Sequence, residues 1–244
     1  MQQNELTKCQ AQLQQLTTEF EEFAYIVSHD LKAPVRAIYN LAGWIEEDLG
    51  EDVPVDVKQN IRLLQNRADR MERMIQALLT FSRVNRLDLE QSEVDTEQLI
   101  WQTWQQINPE SDQLLQLEGA FPVFTTYGLK LQHVFEQLLK NAVSFTSQPQ
   151  AKITVTATES DDYYTFTVKD TGPGIPEEAL PKVFSMFYTV TSKDKLDTTG
   201  AGLAIARKIV LFARGDIQIQ SEVGKGTSVQ FTWPKIITQN QQAS

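Results

Sequence analysis

The sequence predicts an α plus α+β protein: a helical hairpin that forms a four-helix bundle with a second copy, followed by an α/β sandwich. Three observations carry this prediction. Residues 1–90 space their apolar side chains three and four apart, as helices do. Several short stretches beyond residue 150 alternate strictly between apolar and polar, as half-buried strands do. Pairs of glycines stand at the ends of such strands and at the start of a helix, where a backbone can approach a ligand.

The length of 244 residues suits two small domains, and 41% hydrophobic residues can build a real core. A net charge of −10 argues against nucleic acid as the main partner, because phosphate backbones are gripped by basic surfaces. No apolar run approaches the ~18–20 residues that cross a bilayer, and no basic-then-apolar signal opens the chain. A cytoplasmic segment without a membrane span is therefore expected, with any sensor domain or membrane anchor lying upstream of it. Cys9 is the single cysteine, so no internal disulfide can form, and its expected role is packing.

Residues 1–22 read as a coiled-coil helix. Leu6, Leu13, Phe20 and Val27 recur every seven residues, with Cys9, Leu16 and Phe23 three residues after the first three of them. A merely amphipathic helix is the other reading of the same pattern.

Residues 23–90 read as a helical hairpin. At ~100° of rotation per residue, His29 lies opposite Val27, Leu31 and Ile38, the predicted apolar face, and so points outward. Asp30 can accept a hydrogen bond from one ring nitrogen, fixing the tautomer and leaving the other nitrogen as a nucleophile. Pro34 has no N–H for the carbonyl of Asp30, which predicts a kink. The helix should end near Asp48, where Gly50-Glu-Asp-Val-Pro54 combines a glycine stop with a proline before the next start. From Asp56, Ile61, Leu64, Ala68, Met71, Ile75 and Leu78 form one stripe. A hairpin with one stripe per helix cannot close a core alone, whereas two copies can, which predicts a homodimer.

Residues 91–236 change character. Gln98–Ile107 and Leu129–Phe145 read as helices and Phe121–Thr125 as a strand. Ile153–Ala157 and Tyr164–Val168 read as a β-hairpin around Glu159–Asp162. Helical stretches are expected near Pro176–Val183 and Gly202–Ala213, and further strands at Ile217–Gln220 and Val229–Trp233. This mixture predicts an antiparallel or mixed sheet under helices. The Gln-rich segment 237–244 is expected to be disordered. His133, inside the Leu129–Phe145 helix, reads as structural.

Asp170-Thr-Gly-Pro-Gly-Ile-Pro176 follows a strand directly: its glycines let the backbone approach a ligand, and Asp170 offers a carboxylate acceptor. Thr199-Gly-Ala-Gly-Leu203 opens a helix whose N-terminal amides favour phosphate. The Gly-Lys-Ser/Thr spacing of a P-loop and the Rossmann fingerprint are both absent. Gly224-Lys-Gly-Thr227 between two late strands reads as a turn.

The segment around His29 resembles the histidine box of two-component sensor kinases, His-Asp/Glu-Leu-x-x-Pro-Leu: His29, Asp30, Leu31 and Pro34 match, and Val35 replaces the last Leu. Leu138–Thr146 resembles the asparagine box of the GHKL ATPases, Asp170–Gly174 their adenine box, Val183–Phe187 their phenylalanine box and Gly200–Leu203 their phosphate loop. The resemblance spans roughly Phe20 to Lys235. It implies a Bergerat-type ATP-binding domain over 91–236 and a dimerisation domain over 23–90. His29 would be the phosphoacceptor and Asp30 its acidic neighbour. Asn141 would hold Mg2+, and Asp170 would bind the adenine amino group in a pocket shaped by Gly172 and Gly174. Phe184, Phe187, Gly200, Gly202, Leu203 and Thr227 would complete the ATP site, with the segment from about Tyr188 to Thr199 as its lid. Lys193 or Lys195 would add positive charge there, against the reading of both as solvated surface lysines.

The implied activity is ATP-dependent autophosphorylation of His29, then transfer to an aspartate of a separate response regulator. Three positions depart from the family pattern. Ser144 replaces a common lysine, Thr189 a frequent arginine, and Thr198 the first glycine of the lid-end motif. Gln137 stands where hydrolysing relatives carry a glutamate, which suits transfer rather than hydrolysis. The rival reading is a non-catalytic dimeric scaffold with weakened ATP use.

Overall fold

The computed structural model describes residues 2–50, 54–107, 114–146, 152–190 and 198–236. The expected disordered tail at 237–244 and both lid lysines, Lys193 and Lys195, lie outside them. Contacts divide the chain into two units, Met1–Arg83 and Val84–Ser244.

The first unit is a hairpin of two helices, α1 (Gln2–Leu49) and α2 (Val55–Arg83). Helix α1 runs through Pro34 without interruption. It stops at Gly50, whose φ of 68° lies in the left-handed region, and the Gly50 N–H donates to the Glu47 carbonyl at 3.2 Å. The Pro54 carbonyl accepts the N–H groups of Val57 and Lys58 at 3.0 and 3.1 Å, which starts α2. The antiparallel register is fixed by polar pairs on the rim. Arg36 Nε donates to Glu72 Oε1 at 2.9 Å and Lys32 Nζ to Gln76 Oε1 at 3.1 Å.

The seam uses part of the expected α2 stripe and not the expected face of α1. Helix α1 buries Ala24, Ser28, Val35 and Ala42, and α2 buries Ile61, Ala68, Ile75 and Leu79. Val35, Ala68 and Ile75 form the centre of the seam. Leu31 and Ile38, predicted to form the apolar face, are exposed, as are Leu64 and Met71 of the second stripe. Small residues let two helices approach closely, so they take the seam within the hairpin, while the larger side chains flank it. Leu13, Leu16, Phe20 and Phe23 of the heptad pattern are also exposed in the single chain. Cys9 is exposed, so the packing role expected for it is not met within one chain.

The second unit is a two-layer α/β structure. A five-stranded mixed sheet has the order β2 (Leu114–Gly119), β4 (Lys152–Glu159), β5 (Tyr163–Asp170), β7 (Gly226–Pro234), β6 (Ile217–Glu222). Strands β2 and β4 are parallel, and the other pairs are antiparallel. Helices α4 (Gly128–Phe145) and α5 (Gly202–Phe212) cover one face, with α3 (Thr96–Ile107) against α4. A ribbon of β1 (Ser92–Asp95) and β3 (Val123–Thr126) completes the unit. The core lies between sheet and helices, where Phe135 of α4 meets Phe166 and Phe231 edge-on at 5.3 and 5.4 Å between centroids. The indole N–H of buried Trp233 donates to Thr126 Oγ1 at 2.7 Å, tying the sheet to the ribbon. The helical stretch expected near Pro176–Val183 is a 3-10 helix over Glu177–Lys182. Among the described residues no helix is long and apolar enough to cross a membrane.

Candidate functional site

Two sites emerge, one on each unit. On α1, the His29 side chain is 74% exposed, as its position on the helix predicts. Its Nδ1 lies 3.2 Å from Asp30 Oδ1. With the proton on Nδ1 donated to that carboxylate, Nε2 carries the lone pair and has no partner among the described residues. An exposed imidazole with one nitrogen committed and one free is equipped as a nucleophile.

On the second unit a cavity opens between α4, the end of β5 and the start of α5. Its walls are apolar: Leu138 and Ala142 from α4, Val168, Ile175 and Val183, and Ile219 and Val229 from the sheet. Asp170 supplies a carboxylate within it. Burial pushes the Asp170 carboxyl up from the usual carboxylate range, while the N–H groups of Gly172 and Thr227, at 2.8 and 3.3 Å from Oδ1, pull the other way. Both donors meet Oδ1, so Oδ2 stays available to accept from a ligand. An apolar slot with one fixed acceptor is what a flat, amine-bearing base such as adenine requires.

The glycine loops are held by their surroundings. A Cβ on Gly174, at φ 73°, would sit 2.1 Å from the Glu222 carbonyl oxygen. Ser221 Oγ accepts the Ile175 N–H at 2.8 Å and donates to the Gly226 carbonyl at 2.9 Å. The Gly224 N–H donates to the Pro173 carbonyl at 2.7 Å. The turn at Gly224–Thr227, of which the sequence points to Thr227 alone as a site residue, is thus part of the wall that shapes the Asp170 loop. Ser221 carries no motif and was not legible beforehand.

At the other end, Gly200 and Gly202 line the cavity before and at the first turn of α5. A Cβ on Gly202 would lie 3.1 Å from Gln137 Oε1 and 3.5 Å from the side-chain amide of Asn141. Gln137 and Asn141 therefore face the amino end of α5, whose free N–H groups attract anions. Leu203 and Thr227 also line the cavity. Gly172 is buried and meets Asp170 through its N–H. Phe184 and Phe187 do not line the cavity among the described residues. Phe184 lies under the Arg207 guanidinium at 5.3 Å, Phe187 takes a φ of 63°, and Val183 and Tyr188 reach the cavity in their place.

The residues fit an adenine nucleotide: an apolar slot with a carboxylate, then a side-chain amide pair over a helix start. No group of three or more His, Cys, Asp or Glu that could cage a metal occurs among the described residues.

A family model for the His Kinase A phospho-acceptor domain matches residues 21–87, and one for the histidine kinase-, DNA gyrase B- and HSP90-like ATPase matches residues 126–237. The chain is 32% identical over 234 residues to cyanobacterial phytochrome B of Nostoc sp., covering 94% of this chain and 31% of that protein. It is 26% identical to the sensor histidine kinase WalK of Bacillus subtilis, covering 91% of this chain and 38% of that protein. The chain thus spans about a third of the length of such curated relatives. Among solved structures, full-length ShkA in complex with AMPPNP superposes with a TM-score of 0.64 at 22% identity, covering 89% of this chain and 46% of that one. Acinetobacter baumannii AdeS gives 0.60 at 18% identity, covering 85% of this chain and 98% of that one. At these identities the structural likeness speaks to the fold.

Proposed function

The chain belongs to the sensor histidine kinases, and on that premise we propose that it moves the γ-phosphoryl group of ATP to His29 and then to an aspartate of a separate response regulator. The single observation that carries this reading is the state of His29: exposed, with Nδ1 on Asp30 and Nε2 free. A nucleotide site alone would fit any relative of the ATPase family. A free imidazole nitrogen on a phospho-acceptor helix fits a phosphotransferase.

In the proposed step the Nε2 lone pair attacks phosphorus, a P–N bond forms and the bond to the ADP oxygen breaks. The Nδ1 proton stays between the ring and Asp30, which balances the positive charge the ring acquires. Asp170 would receive the adenine amino group, and the amides at the start of α5 would hold the phosphate chain. Asn141 would hold Mg2+, which supplies charge neutralisation on the phosphates. Gln137 is neutral and cannot take a proton from water, which favours transfer over hydrolysis.

The hairpin would work as a homodimer, because the large apolar side chains of both helices lie outside the intra-hairpin seam. The remaining partners would be a receiver domain and an upstream sensor domain, with the ATP-dependent step taking place in the cytoplasm. Incubation with γ-labelled ATP tests the reading: label should appear on the wild-type chain and be absent from His29→Gln. Nucleotide binding without any label would support the scaffold reading instead.

A further inference from the structure

We propose that Tyr25 is a positioning residue for His29 and that Arg83 holds it in place. The inference rests on the reading of His29 as the phosphoacceptor. Tyr25 lies four residues before His29 on α1, so both occupy one face one turn apart. Their ring centroids are 6.3 Å apart with planes at 33°. Side chains on a helix lean toward its amino terminus, which lays the His29 ring over the turn that carries Tyr25.

Asp30 fixes which nitrogen of His29 bears the proton, but a single hydrogen bond leaves the exposed ring able to swing. A wall on its amino-terminal side removes that freedom. Tyr25 is itself 49% exposed and is not locked by burial. The lock is Arg83, the last residue of α2, whose guanidinium lies 5.1 Å from the Tyr25 centroid. Arg83, Tyr25, His29 and Asp30 form a continuous chain of contacts across the hairpin. Its effect is to hold Nε2 in one direction before any phosphate arrives, and preset orientation of a nucleophile raises the rate of transfer.

The test combines phosphorylation kinetics with a spectroscopic reading that needs no turnover. Tyr25→Ala should slow labelling of His29 about tenfold with nucleotide affinity unchanged. Tyr25→Phe, which keeps the ring, should label within about twofold of wild type. Arg83→Met, which keeps the aliphatic stem, should slow labelling about threefold, and adding it to Tyr25→Ala should cost little more. In NMR spectra the His29 ring protons should show a ring-current shift that Tyr25→Phe keeps and Tyr25→Ala abolishes, with His133, the other histidine, unmoved. Wild-type rates in Tyr25→Ala would overturn the proposal. So would a Tyr25→Phe variant as slow as Tyr25→Ala, which would assign the role to the hydroxyl. Absence of label on the wild-type chain would refute the kinase reading and with it the role, while the ring-current shift would still report the contact.

Discussion

The backbone N–H of Thr227 lies 3.3 Å from Asp170 Oδ1, joining the end of β5 to the start of β7 through the one carboxylate that lines the cavity among the described residues. The acceptor is thereby aimed by the sheet itself. Its second oxygen is left to accept from a ligand, because both backbone donors meet the first.

Asp170→Asn should weaken binding of a fluorescent ATP analogue by about tenfold or more, since a hydrogen bond to a charged group contributes ~1.5–3 kcal/mol. Burial raises the carboxyl pKa, so the wild-type affinity should fall as pH drops through that raised value, earlier than for an exposed carboxylate. Asp170→Asn should lack this acid limb. An unchanged titration for the variant would contradict the adenine pocket.

Gly200→Ala should destabilise the phosphate end of the site. The residue has a φ of 71°, and a Cβ would lie 2.5 Å from the Tyr188 carbonyl oxygen, so strain of ~1–3 kcal/mol is expected. Thermal unfolding should show a lower midpoint, and nucleotide affinity should fall with it. A variant that melts and binds as wild type would show that the Tyr188–Gly200 approach is unimportant.

Leu64→Glu together with Met71→Glu should abolish dimerisation while leaving the hairpin helical. Both side chains are more than 40% exposed in the single chain, so their charges are tolerated there, but in a dimer seam each costs on the order of a few kcal/mol. Light scattering should give a dimer for wild type and a monomer for the double variant. A monomeric wild type at tens of micromolar concentration would contradict the bundle.

Lys130 makes stability depend on alkaline pH. It is buried on α4, donates to the Val84 carbonyl and lies 4.4 Å from the Phe212 centroid. Burial lowers its pKa from 10.5 to about 8, although Asp88 pulls upward. Between those values the unfolded chain binds the proton that the folded chain has released, so stability rises with pH across this window. Its charged form therefore costs stability below about 8. Chemical denaturation at pH 7.5 and pH 10 should show wild type gaining up to ~3 kcal/mol relative to Lys130→Met. A pH-independent difference would contradict the shift.

Much of the fold was legible because local chemistry and tertiary context agree. Gly50 and Pro54 punctuate the hairpin where expected, and the alternating strands β4, β5, β6 and β7 all fall in the central sheet. Strands β1 and β2 were missed. The first is four residues long with only Val94 buried, and the second is an edge strand whose alternate side chains are exposed. Neither burial pattern leaves a strong period in the sequence. The intra-hairpin seam of α1 was not legible for a physical reason: sequence periodicity marks large apolar residues, whereas this seam uses Ala24, Ser28 and Ala42 beside Val35. In the site, Asp170 and the glycines were legible from motif spacing. Ser221, the Gln137–Gly202 approach and the Arg83–Tyr25 contact were not, because each joins residues far apart in sequence without a local signature.

The most direct measurement is 31P NMR of the full chain after incubation with ATP and Mg2+, compared with His29→Gln. The account predicts a protein-bound phosphoramidate resonance at imidazole Nε2, labile to acid and stable to alkali, present in wild type and absent from the variant. The same resonance in His29→Gln, or none in a wild-type chain that binds ATP, would contradict it.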